Sequence, residues 1–171
     1  MILSPLFRKL ALTVHLAASV GWFGAVAAFL ALAVAGLTSH DSQTVRAAYI
    51  AMKLTTWSVI IPLAVASLLS GVVSSLGTRW GLARYYWVLV KLLMTSFATI
   101  VLLVHTQPID LLAALSSQTA LSADLHSSQL QIVIASGAAV VVLLVITMLS
   151  VYKPQGMTGY AARAQHTRPD A

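Results

Sequence analysis

LALTVHLAASVGWFGAVAAFLALAVAGLT, residues 10–38, carries no formally charged side chain. It is longer than the roughly 20 residues a helix needs to cross the ~30 Å hydrocarbon core of a bilayer. Three further runs have the same character. Residues 54–76 and 129–152 are uncharged, and residues 85–106 are interrupted only by Lys91 and His105. With their flanks, the four runs predict helices over 10–38, 47–76, 85–106 and 123–152. The expected fold is all-α, an integral membrane four-helix bundle occupying residues 1–152. Arg8 and Lys9 before the first run, and Ala33-Val34-Ala35 within it, resemble a signal peptide. Its apolar length exceeds the 7 to 15 residues of a signal core, so it is expected to remain as a membrane helix.

Composition agrees with this reading. Of 171 residues, 59% are apolar and 8% charged, where a soluble domain carries about 25% charged residues. Without cysteine there is no disulfide framework and no thiolate metal site. Ten Lys and Arg face four Asp and no Glu, which excludes paired-glutamate catalysis and di-iron carboxylate chemistry. The net charge of +6 does not point to nucleic acid, because the basic residues form short clusters between apolar runs rather than one polar face.

Those clusters predict orientation. Arg8, Lys9, Arg79, Arg84, Lys153, Arg163 and Arg168 flank one side, and only Arg46 and Lys53 the other. The positive-inside bias therefore puts both termini in the cytoplasm. Gly77-Thr78-Arg79-Trp80-Gly81 reads as a tight inner turn anchored by Trp80 at the headgroups. The outer loop, 107–122, starts a short interfacial helix at Pro108 with Leu111, Leu112 and Leu115 on one side. Lys153-Pro154-Gln155-Gly156 stops the last helix, and 153–171 is a polar, basic, disordered tail.

Polar groups inside membrane helices are costly and face the bundle interior. His15 is followed seven residues later by Trp22 on the same face, with Ala18, Ser19, Gly21, Gly24 and Ala25 near that stripe. Small residues there admit either a partner helix or a flat ligand. Lys91 either snorkels its amine to the headgroups or turns inward. Lys91, Ala98 and His105 fall at seven-residue steps on one face, which separates the two nitrogen donors by roughly 21 Å along the axis. His105 could equally cap the end of its helix. His126 and His40 sit in or beside outer connectors, where a solvated histidine is the ordinary case, and His166 is in the tail. The five methionines form no spaced series suited to copper transport.

Leu12-Thr13-Val14-His15, then Trp22-Phe23-Gly24, resembles the first helix of the small membrane protoporphyrinogen oxidases that carry haem b, and also that of copper-resistance D-type membrane proteins. Trp87-Val88-Leu89-Val90-Lys91-Leu92 resembles the oxidases' Trp-x-x-x-Lys-Leu stretch. The resemblance implies His15 and Lys91 as axial haem ligands. Between Ala25 and Leu37 the chain is uncharged, where the oxidases carry a basic residue. The whole chain, above all residues 77–105 (GTRWGLARYYWVLVKLLMTSFATIVLLVH) and 149–156 (LSVYKPQG), is more similar to an uncharacterised bacterial family of four-helix membrane proteins.

The expectation is a haem b-binding protein of the bacterial inner membrane, a small b-type cytochrome in electron transfer or porphyrin redox chemistry. If it is an enzyme, it is a haem-dependent membrane oxidoreductase. His15, Trp22, Lys91 and His105 are the expected cofactor-binding residues, with His15, Lys91, His105 and His126 as metal ligands. Haem would be held non-covalently for want of cysteine. Expected partners are membrane lipid and an electron donor or quinone, with a homodimer allowed and no nucleic acid. Two alternatives stand beside this: a cofactor-free accessory or transport-related bundle, and metal-ion handling by an outer group of His105, His126, Asp110 and Asp124.

Overall fold

The computed structural model describes residues 4–76, 86–104 and 123–152, all helical apart from Ser4 and the short link at 39–41. Helix α1 is Pro5–Thr38, α2 is Ser42–Thr55, α3 is Ile61–Leu76, α4 is Tyr86–Val104 and α5 is Ala123–Tyr152. A π-helical turn, Thr56–Ile60, joins α2 to α3, and the two run on as one helix over 42–76. Four helices are thus long and apolar enough to cross a membrane. The inner turn at 77–81, the interfacial helix from Pro108, and the tail at 153–171 lie outside the described residues.

Both early helices begin before the apolar runs do. Ser4 accepts a bond from the Phe7 amide and Pro5 takes the first helical position, where its missing N–H costs nothing. Arg8 and Lys9 therefore sit in the first turns of α1 rather than ahead of it. Helix α2 starts at Ser42, not 47, because Asp41 caps it. The Asp41 carboxylate accepts from the Gln43 amide at 3.3 Å, the Thr44 amide at 3.0 Å and the Thr44 hydroxyl at 2.6 Å. Those bonds, the Thr44 hydroxyl's first, hold its pKa below the usual carboxylate value.

The π turn has a local cause in Pro62. A proline inside a regular helix lacks the N–H for the carbonyl four residues back and crowds that carbonyl, here Ser58. Widening the preceding turn, so that the Ile61 amide bonds Thr56 O, relieves the crowding. Thr56, fully buried, ties its hydroxyl back to Met52 O at 2.8 Å.

The tight link at 39–41 makes α1 and the 42–76 helix an antiparallel hairpin. Gly36 meets Tyr49, Gly21 meets Leu63, Ser19 meets Ser67, and His15 meets Gly71. Helix α1 packs on α2, α3 and α5, while α4 packs on α3 and α5. Helices α1 and α4 therefore stand on a diagonal of the bundle. The core between them holds Trp22, Val26, Phe29 and Ala33 of α1, Tyr49 and Met52 of α2, Ile60, Ala64 of α3, and Ile132, Leu143 and Ile146 of α5. Large apolar side chains of every helix point outward, among them Leu12, Leu16, Ile50, Leu69, Leu93, Phe97 and Ile134. Such an apolar exterior suits lipid rather than water.

Candidate functional site

His15 on α1 and Lys91 on α4 reach across the diagonal to each other, with Lys91 Nζ 3.4 Å from His15 Nε2. The other ring nitrogen is fixed by α3. His15 Nδ1 lies 3.0 Å from the Ser67 carbonyl oxygen and 3.2 Å from Ser70 Oγ. A carbonyl can only accept, so Nδ1 carries the proton and Nε2 presents its lone pair toward Lys91. The Ser70 hydroxyl spends its own proton on Ala66 O at 2.5 Å, leaving its oxygen free to accept from Nδ1. Ser67 Oγ in turn shares a 2.8 Å bond with Ser19 Oγ of α1.

The ring also needs room, and Gly71 supplies it. A Cβ at that position would stand 3.0 Å from His15 Cε1 and 3.4 Å from Nδ1. The space is therefore made by α3. Gly21 packs against Leu63 instead, and Gly24 meets nothing within 4 Å of an added Cβ. Ser67, Ser70, Gly71 and Ser74, at spacings of three and four, line one face of α3 toward α1. Sequence reasoning centred on His and Lys passed over this series, although four small or hydroxyl residues at helical spacing within an apolar span are a readable signal.

In chemical terms the pair is two nitrogen donors delivered from opposite helices, one already tautomerically prepared. A second shell that holds one ring nitrogen on a backbone carbonyl is the arrangement that orients a metal-binding histidine. No acidic side chain is bonded to either residue among the described residues.

Trp22 is 4% exposed in the core, two turns above His15, and its indole Nε1 has no hydrogen-bond partner among the described residues. Tyr49 Oη is likewise buried without a bond of ordinary geometry, although Gln129 lies beside it. His105, Asp110 and His166 lie outside the described residues. His126 is exposed on the first turns of α5. Among the described residues no three His, Cys, Asp or Glu come together to hold a metal ion. Comparison with protein-family models, with curated proteins and with solved structures finds no match.

Proposed function

We propose that this chain is a haem b-binding protein of the bacterial inner membrane, with both termini cytoplasmic and His15 and Lys91 as the residues that would hold the iron. One observation carries the reading: two nitrogen donors from diagonal helices converge in the bundle, His15 with its Nδ1–H held on a backbone carbonyl and its Nε2 lone pair turned inward. The donor set fits the group. Neutral imidazole is a common axial ligand to haem iron, and the Lys91 amine, once deprotonated, offers the second lone pair. Gly71 clears the ring's position, as a larger residue could not.

The cofactor would supply one-electron redox chemistry. The chain's own residues do the rest. Ser67 and Ser70 fix the tautomer and the ring plane of His15, which makes Nε2 the binding nitrogen. Packed apolar side chains such as Val26, Ile60, Ala64 and Leu143 exclude water from the interior. An electron donor or a quinone would exchange electrons from outside the bundle, and the lipid bilayer is the expected surround.

A second reading has one observation in its favour. Lys91 Nζ and His15 Nε2 are within hydrogen-bond distance, so the pair ties α1 to α4 without a ligand. The chain is then a cofactor-free accessory bundle. Haem content separates the two. Full-length protein expressed with haem supply should purify with haem that acid-acetone extracts completely. His15→Ala should lose it, while His126→Ala should keep it. Equal haem per protein in both variants overturns the His15 site, and a colourless wild type overturns the haem reading.

A further inference from the structure

From Ser4 to Leu10 every side chain is exposed, so roughly the first two turns of α1 stand uncovered. They carry Arg8 and Lys9. Three contacts show which end of the bundle this is. His15 meets Gly71 of α3 and Lys91 of α4, and Gln129, near the start of α5, lies beside Tyr49, which packs on Gly36 toward the far end of α1. The start of α1, the end of α3, the start of α4 and the end of α5 therefore share one end. In sequence, Arg79 comes three residues after Leu76, Arg84 two before Tyr86 and Lys153 one after Tyr152. Asp41 and Asp124, the carboxylate-bearing positions among the described residues, belong to the opposite end. The bundle is thus polarised in charge along its axis.

The height of the two cations follows from the His15–Lys91 contact. Leu10 precedes His15 by five residues and Tyr86 precedes Lys91 by five, so on two helices that run the same way they stand level. Arg8 and Lys9 lie one or two residues beyond, about 1.5–3 Å along the axis. Tyr86, 57% exposed at the first position of α4, and Tyr152, 81% exposed at the last of α5, are the amphipathic side chains that settle at a headgroup layer. The cations are therefore at phosphate depth, with exposed Leu10 and Leu12 one turn deeper. A soluble acidic partner would reach Arg8 and Lys9 from outside and offer those leucines nothing. A phospholipid carries phosphate and hydrocarbon in one molecule and so matches all four.

We infer that this end of the bundle is a docking surface for anionic phospholipid, with Arg8 and Lys9 on the headgroup phosphate and Leu10 and Leu12 along the acyl chains. The guanidinium takes phosphate oxygens in pairs, while the Lys9 ammonium acts as a point charge. A lipid with net negative charge is preferred to a zwitterionic one, whose ammonium group the cations repel.

The test titrates dioleoylphosphatidylglycerol into the full-length protein in neutral detergent micelles and reads the dissociation constant of the first bound lipid by native mass spectrometry. Dioleoylphosphatidylcholine should bind more weakly. Arg8→Gln and Lys9→Gln should each weaken phosphatidylglycerol about fivefold, the factor expected for one cation at a membrane surface. Arg8→Lys should lose less than Arg8→Gln, because the charge remains. Arg46→Gln combined with Lys53→Gln, a loss of two charges at the opposite end, should leave the constant unchanged.

Equal affinity for the two lipids overturns the inference, and so does an equal loss from substitutions at the two ends. Displacement of the lipid by inorganic phosphate at the same concentration would reveal a free-anion site and overturn it too. Arg8 and Lys9 also contribute to orientation during insertion, so the wild type supplies a measurement without substitution. Added salt should weaken its binding of phosphatidylglycerol, because exposed charges are screened; a constant indifferent to salt overturns the inference. None of these readouts depends on haem content.

Discussion

Replacing Gly71 with alanine places a methyl group 3.0 Å from His15 Cε1 and 3.4 Å from Nδ1. The imidazole has little freedom to retreat. Ser67 O and Ser70 Oγ hold it at 3.0 and 3.2 Å, and Lys91 Nζ stands at 3.4 Å on the far edge. Moving the ring a few tenths of an ångström stretches those bonds, and overpacking of this kind costs about 1–3 kcal/mol. Alanine recovers about 0.5–1 kcal/mol from its better helix propensity. A net loss of roughly 0.5–2 kcal/mol is therefore expected in unfolding titrations of the full-length protein in mixed micelles. The double variant isolates the cause. With His15→Ala the ring is gone, so Gly71→Ala should become neutral or stabilising, a coupling of about 1–3 kcal/mol. Additivity to within ~0.5 kcal/mol would refute the claim that Gly71 exists to seat His15.

Three other outcomes follow, two from the structure and one from the basic residues of the sequence. Asp41 has a folded pKa below its unfolded value, so its contribution is present above the unfolded pKa and disappears as pH falls through the folded one. Amide exchange at Gln43, Thr44 and Val45, corrected for intrinsic rates, should accelerate below about pH 4, and Asp41→Asn should flatten that dependence. Tyr49→Phe removes a buried hydroxyl with no hydrogen-bond partner among the described residues, so the thermal midpoint should hold or rise; a fall of several degrees would place a partner on that oxygen. A periplasm-active reporter fused after Tyr160 should be silent, and full signal there would invert the orientation assigned from the basic residues.

The membrane helices are legible in the sequence because length and uncharged composition alone decide whether a helix can cross. Helix starts are less so. Ser4-Pro5 and Asp41-Ser42 are capping signals, but they precede the apolar runs, and hydrophobicity draws attention past them. His15 and Lys91 stand out as costly polar groups, but their separation is a tertiary fact. Nothing in their spacing shows that α1 and α4 face each other across a diagonal. Their partners are harder still, since the Ser67 contact that sets the tautomer runs through a backbone carbonyl, which every residue possesses. Gly71 reads as an ordinary helix glycine until the His15 ring is seen against it. The seven-residue stripe through Lys91 and Ala98 does turn toward the core, with Lys91 beside His15 and Ala98 packed on the apolar cluster.

The absorption spectrum of the purified full-length protein, oxidised and then reduced, tests the central claim most directly when recorded beside Lys91→Arg. Guanidinium keeps its proton, with a pKa above about 12, and has no lone pair for iron, although it snorkels as well as an amine does. The account predicts a Soret band in wild type with sharp bands on reduction, and a shifted or lost spectrum in Lys91→Arg. Identical spectra in the two proteins would contradict Lys91 as a ligand, and a wild type without a Soret band would contradict the site as a whole.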